Sequence, residues 1–192
     1  MTMNDIPVRD NGRLDISAVR RQQIIMASRK LVSTEGVGAV TIAQIAKVMG
    51  TSRGVVNHHF ESKEEILRAT LMSALKDASA ATDQSVAAKD DIGEVTRLVV
   101  GLASSENDWW PVYIAFLAES ASHQFARKMI QESDRGFRAN LAKALGDEAR
   151  AGVVLGLMKG LALQRVVDDT FDVDEAVAAA IQLLSRWQRV EV

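Results

Sequence analysis

Apolar residues recur at helical spacing along most of this chain. Between Ser17 and Glu35, Ile24, Ala27, Ser28, Leu31 and Val32 share one face, which predicts an amphipathic helix ended by Gly36 and Gly38. Thr41 followed by Gln44 makes a capping box, so a short second helix begins there, carries Ile42, Ile45 and Ala46, and stops at Gly50. Thr51 is placed to cap a third helix through about His58. Ser62 and Glu65 form another capping box. It opens a long fourth helix to about Ser85 that buries Ile66, Leu67, Leu71 and Leu75. A loop is expected from Ala87 to Asp91. Further helices are expected near 90–105, 107–122, 123–145, 147–168 and 173–189, the last with Asp172 and Glu175 as an N-cap pair. The fold class is therefore all-α, with about nine helices. Its expected divisions are a disordered polar arm over 1–14, a three-helix unit over 15–61, and a larger helical domain over 62–192.

Composition agrees with this pattern. Hydrophobic residues make up 47% of the chain and there are only two prolines, Pro7 and Pro111, so long helices are free to form. The absence of cysteine excludes disulfides and thiolate chemistry, and no apolar run is long enough to span a membrane. The polar N-terminus lacks an apolar core and reads as an arm rather than a signal peptide, which places the chain in the cytoplasm. Net charge is −2, unpromising for a nucleic-acid binder until its distribution is considered. Between Arg13 and Lys63 eight basic residues face three acidic ones, a local +5 that leaves −7 on the remainder. Such a basic end suits phosphate, although a solvated helix face rich in arginine would look the same.

The segment Ile42 to Glu61 narrows the choice. A helix-turn-helix needs a small residue where its helices cross, glycine four residues later at the turn, and apolar contacts between the helices. Ala46, Gly50, and the pair Ile45 and Val56 meet those needs. The third helix turns Val56 and Phe60 inward and offers Ser52, Arg53, Val55, Asn57 and His58 outward, groups able to reach base edges in a major groove. His58, His59 and Glu61 invite a metal reading. Adjacent helical histidines point about 100° apart and do not readily share one ion, so no metal and no cofactor is expected.

The run from Thr41 to Leu67, with Ile24, Ala27, Leu31 and Gly36 before it, resembles the N-terminal domain of the TetR family of repressors. The resemblance is specific over about Arg20 to Ala69. It implies a homodimer of all-helical subunits whose ligand-binding domain moves the fourth helix and separates two DNA-reading heads. By the same resemblance His59 contacts the DNA backbone and Lys63 stands at the start of helix four. Where the family usually has tyrosine this chain has Asn57, able to donate to phosphate or to read adenine. Thr41 and Gln44 sit at a helix N-terminus, whose amides favour phosphate. Arg53 is the first candidate for base readout, of guanine.

Further along, Trp109, Trp110, Tyr113, Phe116, Phe125, Met129, Phe137 and Met158 form an aromatic and methionine cluster with Glu119 nearby. Residues at such spacing build a core or line an apolar pocket, and paired tryptophans can also cage a cation. From Asn107 to Trp187 the chain is similar to the choline-responsive, BetI-like group of the family. That likeness rests on Trp110, Phe116, His123, Asn140-Leu141, Gly156-Leu157, Gly160-Leu161 and Phe171-Asp172, and implies a small quaternary ammonium ligand. Gly152, Gly156 and Gly160 recur every fourth residue, with Leu155, Leu163 and Val167 beside them, and the last helix carries a stripe of Val177, Ala180, Ile181, Leu184 and Trp187. In this family the last two helices form the dimer interface, so these residues are assigned there; close packing within one subunit is the alternative.

No nucleophile–base spacing, phosphate-cradling glycine loop or paired carboxylate is evident, so an enzyme is not expected. The expected partners are double-stranded operator DNA, a small-molecule effector of unknown identity and a second copy of the chain, with no membrane. The expected function is a repressor released by its effector. An activator of the same fold, or a helical adaptor whose basic segment binds acidic protein, are the alternatives.

Overall fold

The computed structural model describes residues 15–88, Thr96 and 108–187. Among these residues the chain is all helical. Helix α1 (Ile16–Glu35) starts at Asp15, whose Oδ1 accepts from the amides of Ser17 and Ala18 at 3.0 and 3.1 Å. It ends at Gly36, whose φ of +86° is open to glycine and strained for other residues. A single 3₁₀ turn, Val37–Ala39, then sends Val37 and Val40 back into the core.

Helix α2 (Ile42–Val48) is capped by Thr41, whose Oγ1 accepts from the Gln44 amide at 3.1 Å. Its exit is a Schellman turn. The Thr51 amide donates to the Ala46 carbonyl (2.9 Å), the Gly50 amide donates to the Lys47 carbonyl (3.1 Å), and Gly50 sits at φ +62°. This turn sets the angle at which α3 (Arg53–His59) crosses α2, with Ile45 and Val56 fully buried between them. The N-cap position of α3, expected at Thr51, is Ser52, whose side chain makes no capping bond, while the Thr51 amide closes α2.

Helix α4 (Lys63–Ala88) begins with two side-chain caps on backbone amides of its entry turn. Ser62 Oγ accepts from the Glu65 amide at 3.1 Å, and Glu65 Oε2 accepts from the Glu61 amide at 2.8 Å. It includes Ala87 and Ala88, where a loop is expected to begin, and 89–91 lie outside the described residues. So does the helix expected near 90–105, apart from Thr96, which is helical and buried. The body is completed by α5 (Trp109–Ala118), α6 (Gln124–Leu145), α7 (Glu148–Val167) and α8 (Val173–Trp187). Gly146, left-handed at φ +71°, and the Asp147 cap fold α6 against α7. Asp172 Oδ1 accepts from the Glu175 amide at 2.9 Å to start α8.

One buried cluster runs without interruption from Ile24, Leu31 and Val56 in the N-terminal helices, through Leu71 and Phe116, to Leu141 and Met158. Helices α1, α4 and α5 pack against each other at its centre. The N-terminal head therefore shares its core with the body, and shifts of α4 or α5 are felt in α1. A smaller cluster around Leu161 and Val177 fastens α8 to α7.

Candidate functional site

The head presents the short helix α3 edge-on to solvent. Val56 and Phe60 anchor it, while Ser52, Arg53, Asn57 and His58 are exposed and Val55 and His59 are half-buried. Thr41 and Gln44 at the start of α2, and Lys63 at the start of α4, are all exposed. Arg21, which sequence reasoning counted only as a charge, ties this unit together. Its guanidinium donates to the His59 carbonyl and to Glu65 Oε1 (2.6 Å), and lies 3.9 Å from the centre of the Phe60 ring. These contacts join α1 to the end of α3 and the beginning of α4, so the outer face of α3 is held as one rigid body.

The same contacts set protonation. Arg21 and the Glu61 amide hold the Glu65 carboxyl below its ordinary range. Partial burial, then the positive fields of His58, Arg21 and Arg20, push His59 below the ordinary imidazole value. Its Nδ1 lies 3.5 Å from Ser17 Oγ. The His58 and His59 rings meet edge to face, 78° apart. No cluster of three or more metal-ligating groups occurs among the described residues.

A cavity of about 250 Å³ opens between α4, α5, α6 and α7. Trp109, Trp110, Tyr113 and Phe137 line it. The two indoles lie 4.2 Å apart at a 32° tilt, with the Tyr113 ring edge-on to Trp110. Phe116, Phe125 and Met158 are buried in the core instead, Phe116 and Phe125 meeting edge to face behind the wall, and Met129 packs half-buried against that core. Glu119 terminates α5 away from the cavity. The polar end was not foreseen. Lys159 donates to Tyr113 Oη at 2.7 Å and to Asp134 Oδ2 at 2.5 Å, and Tyr113 Oη stands 3.5 Å from Asp134 Oδ1. Burial would lower the Lys159 pKa, but its bonds to Asp134 and Tyr113 outweigh that and raise it; burial also raises the Tyr113 phenol. Lysine and phenol are thus both protonated at neutral pH. A lysine set four residues after Leu155 and one after Met158, in an otherwise apolar helix face, was the available signal.

Between head and cavity lies a third feature absent from the sequence reading. The Arg29 side chain is only 4% exposed. Its Nε donates to Asp108 Oδ2 (3.0 Å), and the guanidinium also reaches Asp108 Oδ1, Asp77 and Ser73. Burial opposes its charge, and the two carboxylates more than restore it. One buried cation of α1 therefore holds α4 and the start of α5, and Asp108 immediately precedes the tryptophan pair.

The residues assigned to a dimer face divide. Among the described residues nothing stands within 4 Å of where a Cβ on Gly156 or Gly160 would lie, and Val153, Leu163 and Val167 extend the same stripe of α7, Val167 being 81% exposed. Gly152 instead backs onto Arg138, Leu155 lines the cavity, and Val177 and Ile181 pack in the α7–α8 seam. The side chain of Leu184 lies outside the described residues.

A helix-turn-helix head sharing a core with a helical body that encloses a small apolar cavity defines a helical DNA-binding regulator. The family model described as "Bacterial regulatory proteins, tetR family" matches residues 24–70. The HTH-type transcriptional regulator BetI of Burkholderia thailandensis is 30% identical over 183 residues, covering 88% of this chain and 93% of that one. BetI of Pseudomonas paraeruginosa is 28% identical over 188 residues, covering 91% and 95%. Among solved structures, a transcriptional regulator from Saccharomonospora viridis in complex with choline superposes with a TM-score of 0.71 at 20% identity, covering 88% of this chain and 96% of that one. The chain belongs to the TetR family of transcriptional regulators and is related to its BetI members. It is a DNA-binding transcriptional regulator, not an enzyme.

Proposed function

We propose that this protein is a repressor that binds a palindromic operator as a homodimer and is released by a small molecule held in the α4–α7 cavity. The carrying observation is Arg29, whose buried guanidinium joins α1 of the DNA-reading head to Asp108, the residue beside the cavity's Trp109 and Trp110. A ligand that displaces the tryptophans moves Asp108, and through Arg29 it moves α1 and α4. In the dimer, paired through the α7 stripe and α8, that motion changes the distance between two recognition helices. Those helices need a separation of about one DNA turn, roughly 34–36 Å, or a small multiple. By linkage, operator DNA weakens ligand binding by the same factor.

Within the head, Arg53 and Asn57 read bases together with Ser52, Val55 and His58, while Thr41, Gln44, His59 and Lys63 meet the phosphates. In support, each of these side chains is exposed or half-buried. The protein acts in the cytoplasm, in keeping with a described chain in which no helix is long and apolar enough to cross a membrane.

The test is selection of binding sites from random duplex DNA by the purified protein, followed by release assays on the recovered sequence. A palindrome bound with a steep salt dependence supports the reading. Recovery of no motif at low salt sinks it in favour of a helical adaptor, and a reporter that falls on deletion of the protein would make it an activator.

A further inference from the structure

The cavity is apolar over most of its wall, so its effector carries an apolar body, and its size suits a small metabolite rather than a drug-sized molecule. What distinguishes one small apolar molecule from another is the polar end. Lys159 faces this cavity, whereas Asp134 also lines a separate open groove with Arg127, Arg135 and Arg138. Four cations and one carboxylate thus line the two adjoining spaces. The Lys159 ammonium has three protons and two partners among the described residues, and the Tyr113 hydroxyl, accepting from Lys159, has its own proton committed only to a long 3.5 Å contact. Two donors therefore remain to be used from inside the cavity, and Asp134 has arginines on its far side to turn towards. A bare cation entering here gains the indole faces but meets the lysine ammonium, and the carboxylate that would balance it is already taken.

We propose that the effector is a small monocarboxylate whose apolar body lies against Trp109, Trp110 and Phe137 and whose carboxylate is held by Lys159 and Tyr113. This inference rests on the effector-cavity reading above. A carboxylate in that position accepts charge-assisted hydrogen bonds from both donors, and the Asp134–Lys159 contact loosens in exchange.

Isothermal titration of the full-length protein with benzoate, benzamide, benzyltrimethylammonium and choline tests it. Benzoate and benzamide share a ring and differ in charge. Benzoate is expected to bind the wild type about tenfold or more tighter than benzamide, the scale of a charge-assisted hydrogen bond. Lys159→Met combined with Asp134→Asn removes both charges, so neither is left buried alone; it should keep benzamide binding and lose the benzoate preference. Tyr113→Phe should narrow the preference without abolishing it. If benzamide or either ammonium binds the wild type as tightly as benzoate, or if the preference survives in the double variant, the carboxylate assignment is overturned while the effector cavity stands. If none of the four probes binds, both readings fall.

Discussion

Asp108 begins helix α5 yet makes no capping bond to it, giving both carboxylate oxygens to Arg29, 79 residues earlier in the chain. An N-cap aspartate forgoes about 1 kcal/mol when it abandons its own helix, so the contact it makes instead has to be worth more than that. It is worth more because the guanidinium is buried and fork-shaped, and because an unmatched charge there would be expensive.

Arg29→Met is therefore expected to destabilise the fold by about 2–4 kcal/mol, at or below the usual range for breaking a buried pair, since Asp77 and Asp108 can rehydrate. Urea unfolding measures this. Arg29→Lys should restore charge but not the fork, and recover only part of the loss. An unchanged unfolding midpoint for Arg29→Met would mean that the ion pair contributes nothing net.

Two head substitutions should separate base reading from backbone binding. Arg53→Ala should lose about 1–3 kcal/mol against the preferred site and relax the preference at one base pair, read by repeating the site selection with the variant. Lys63→Ala should weaken all sequences alike and lower the salt slope by about one unit. A sequence-selective loss for Lys63→Ala would remove it from the phosphate contacts.

Among the described residues no atom of a neighbouring element lies within 4 Å of where a methyl group on Gly156 or Gly160 would stand, so bulk there should be tolerated by the single subunit. Gly156→Leu or Gly160→Leu should leave the helical content intact and shift the chain towards monomer in sedimentation equilibrium. Dimer affinity equal to wild type would place the interface elsewhere.

Stability of the head should depend on pH through two groups in separate windows. The His59 pKa is depressed on folding, so its contribution is present above the ordinary imidazole value of 6.5 and is lost as pH falls below it. The Glu65 pKa is depressed too, so its contribution persists to lower pH and is lost below the ordinary carboxyl value of 4.5. Unfolding midpoints measured down this range should fall in two steps, and His59→Gln should remove the upper one. A midpoint that rises between about pH 7 and 5, by roughly one histidine's worth of linkage, would contradict the sign.

The parts of this protein that its sequence determined alone are those whose physics is local. A serine, threonine or aspartate followed three residues later by the amide it caps fixes a helix start, as at Thr41, Ser62 and Asp172. A glycine that must take positive φ fixes a turn, as at Gly50, and apolar periodicity names the buried faces around Ile45 and Val56. Fold class and the rim of the DNA-reading unit follow from such signals, because each partner lies within about one helical turn of the next. Thr51 shows the limit even there: the third helix is expected to start from it, yet its amide closes α2 and Ser52 takes the N-cap position.

Only the tertiary structure decided the rest. Arg29 and Arg21 look alike as basic residues of one helix, yet one is a buried tie to the body and the other a clamp across the head. Trp110 and Phe116 share an apolar helix, and only the placement of α6 and α7 makes the first a cavity wall and the second core. Leu155 stands in the same glycine-marked segment as Leu163, but one faces the cavity and the other solvent. Lys159, Tyr113 and Asp134 are brought together from three helices. Charge and hydrophobicity are written at each position, but a side chain's partner is set by how helices pack, and contacts spanning tens of residues leave no periodic trace along the chain.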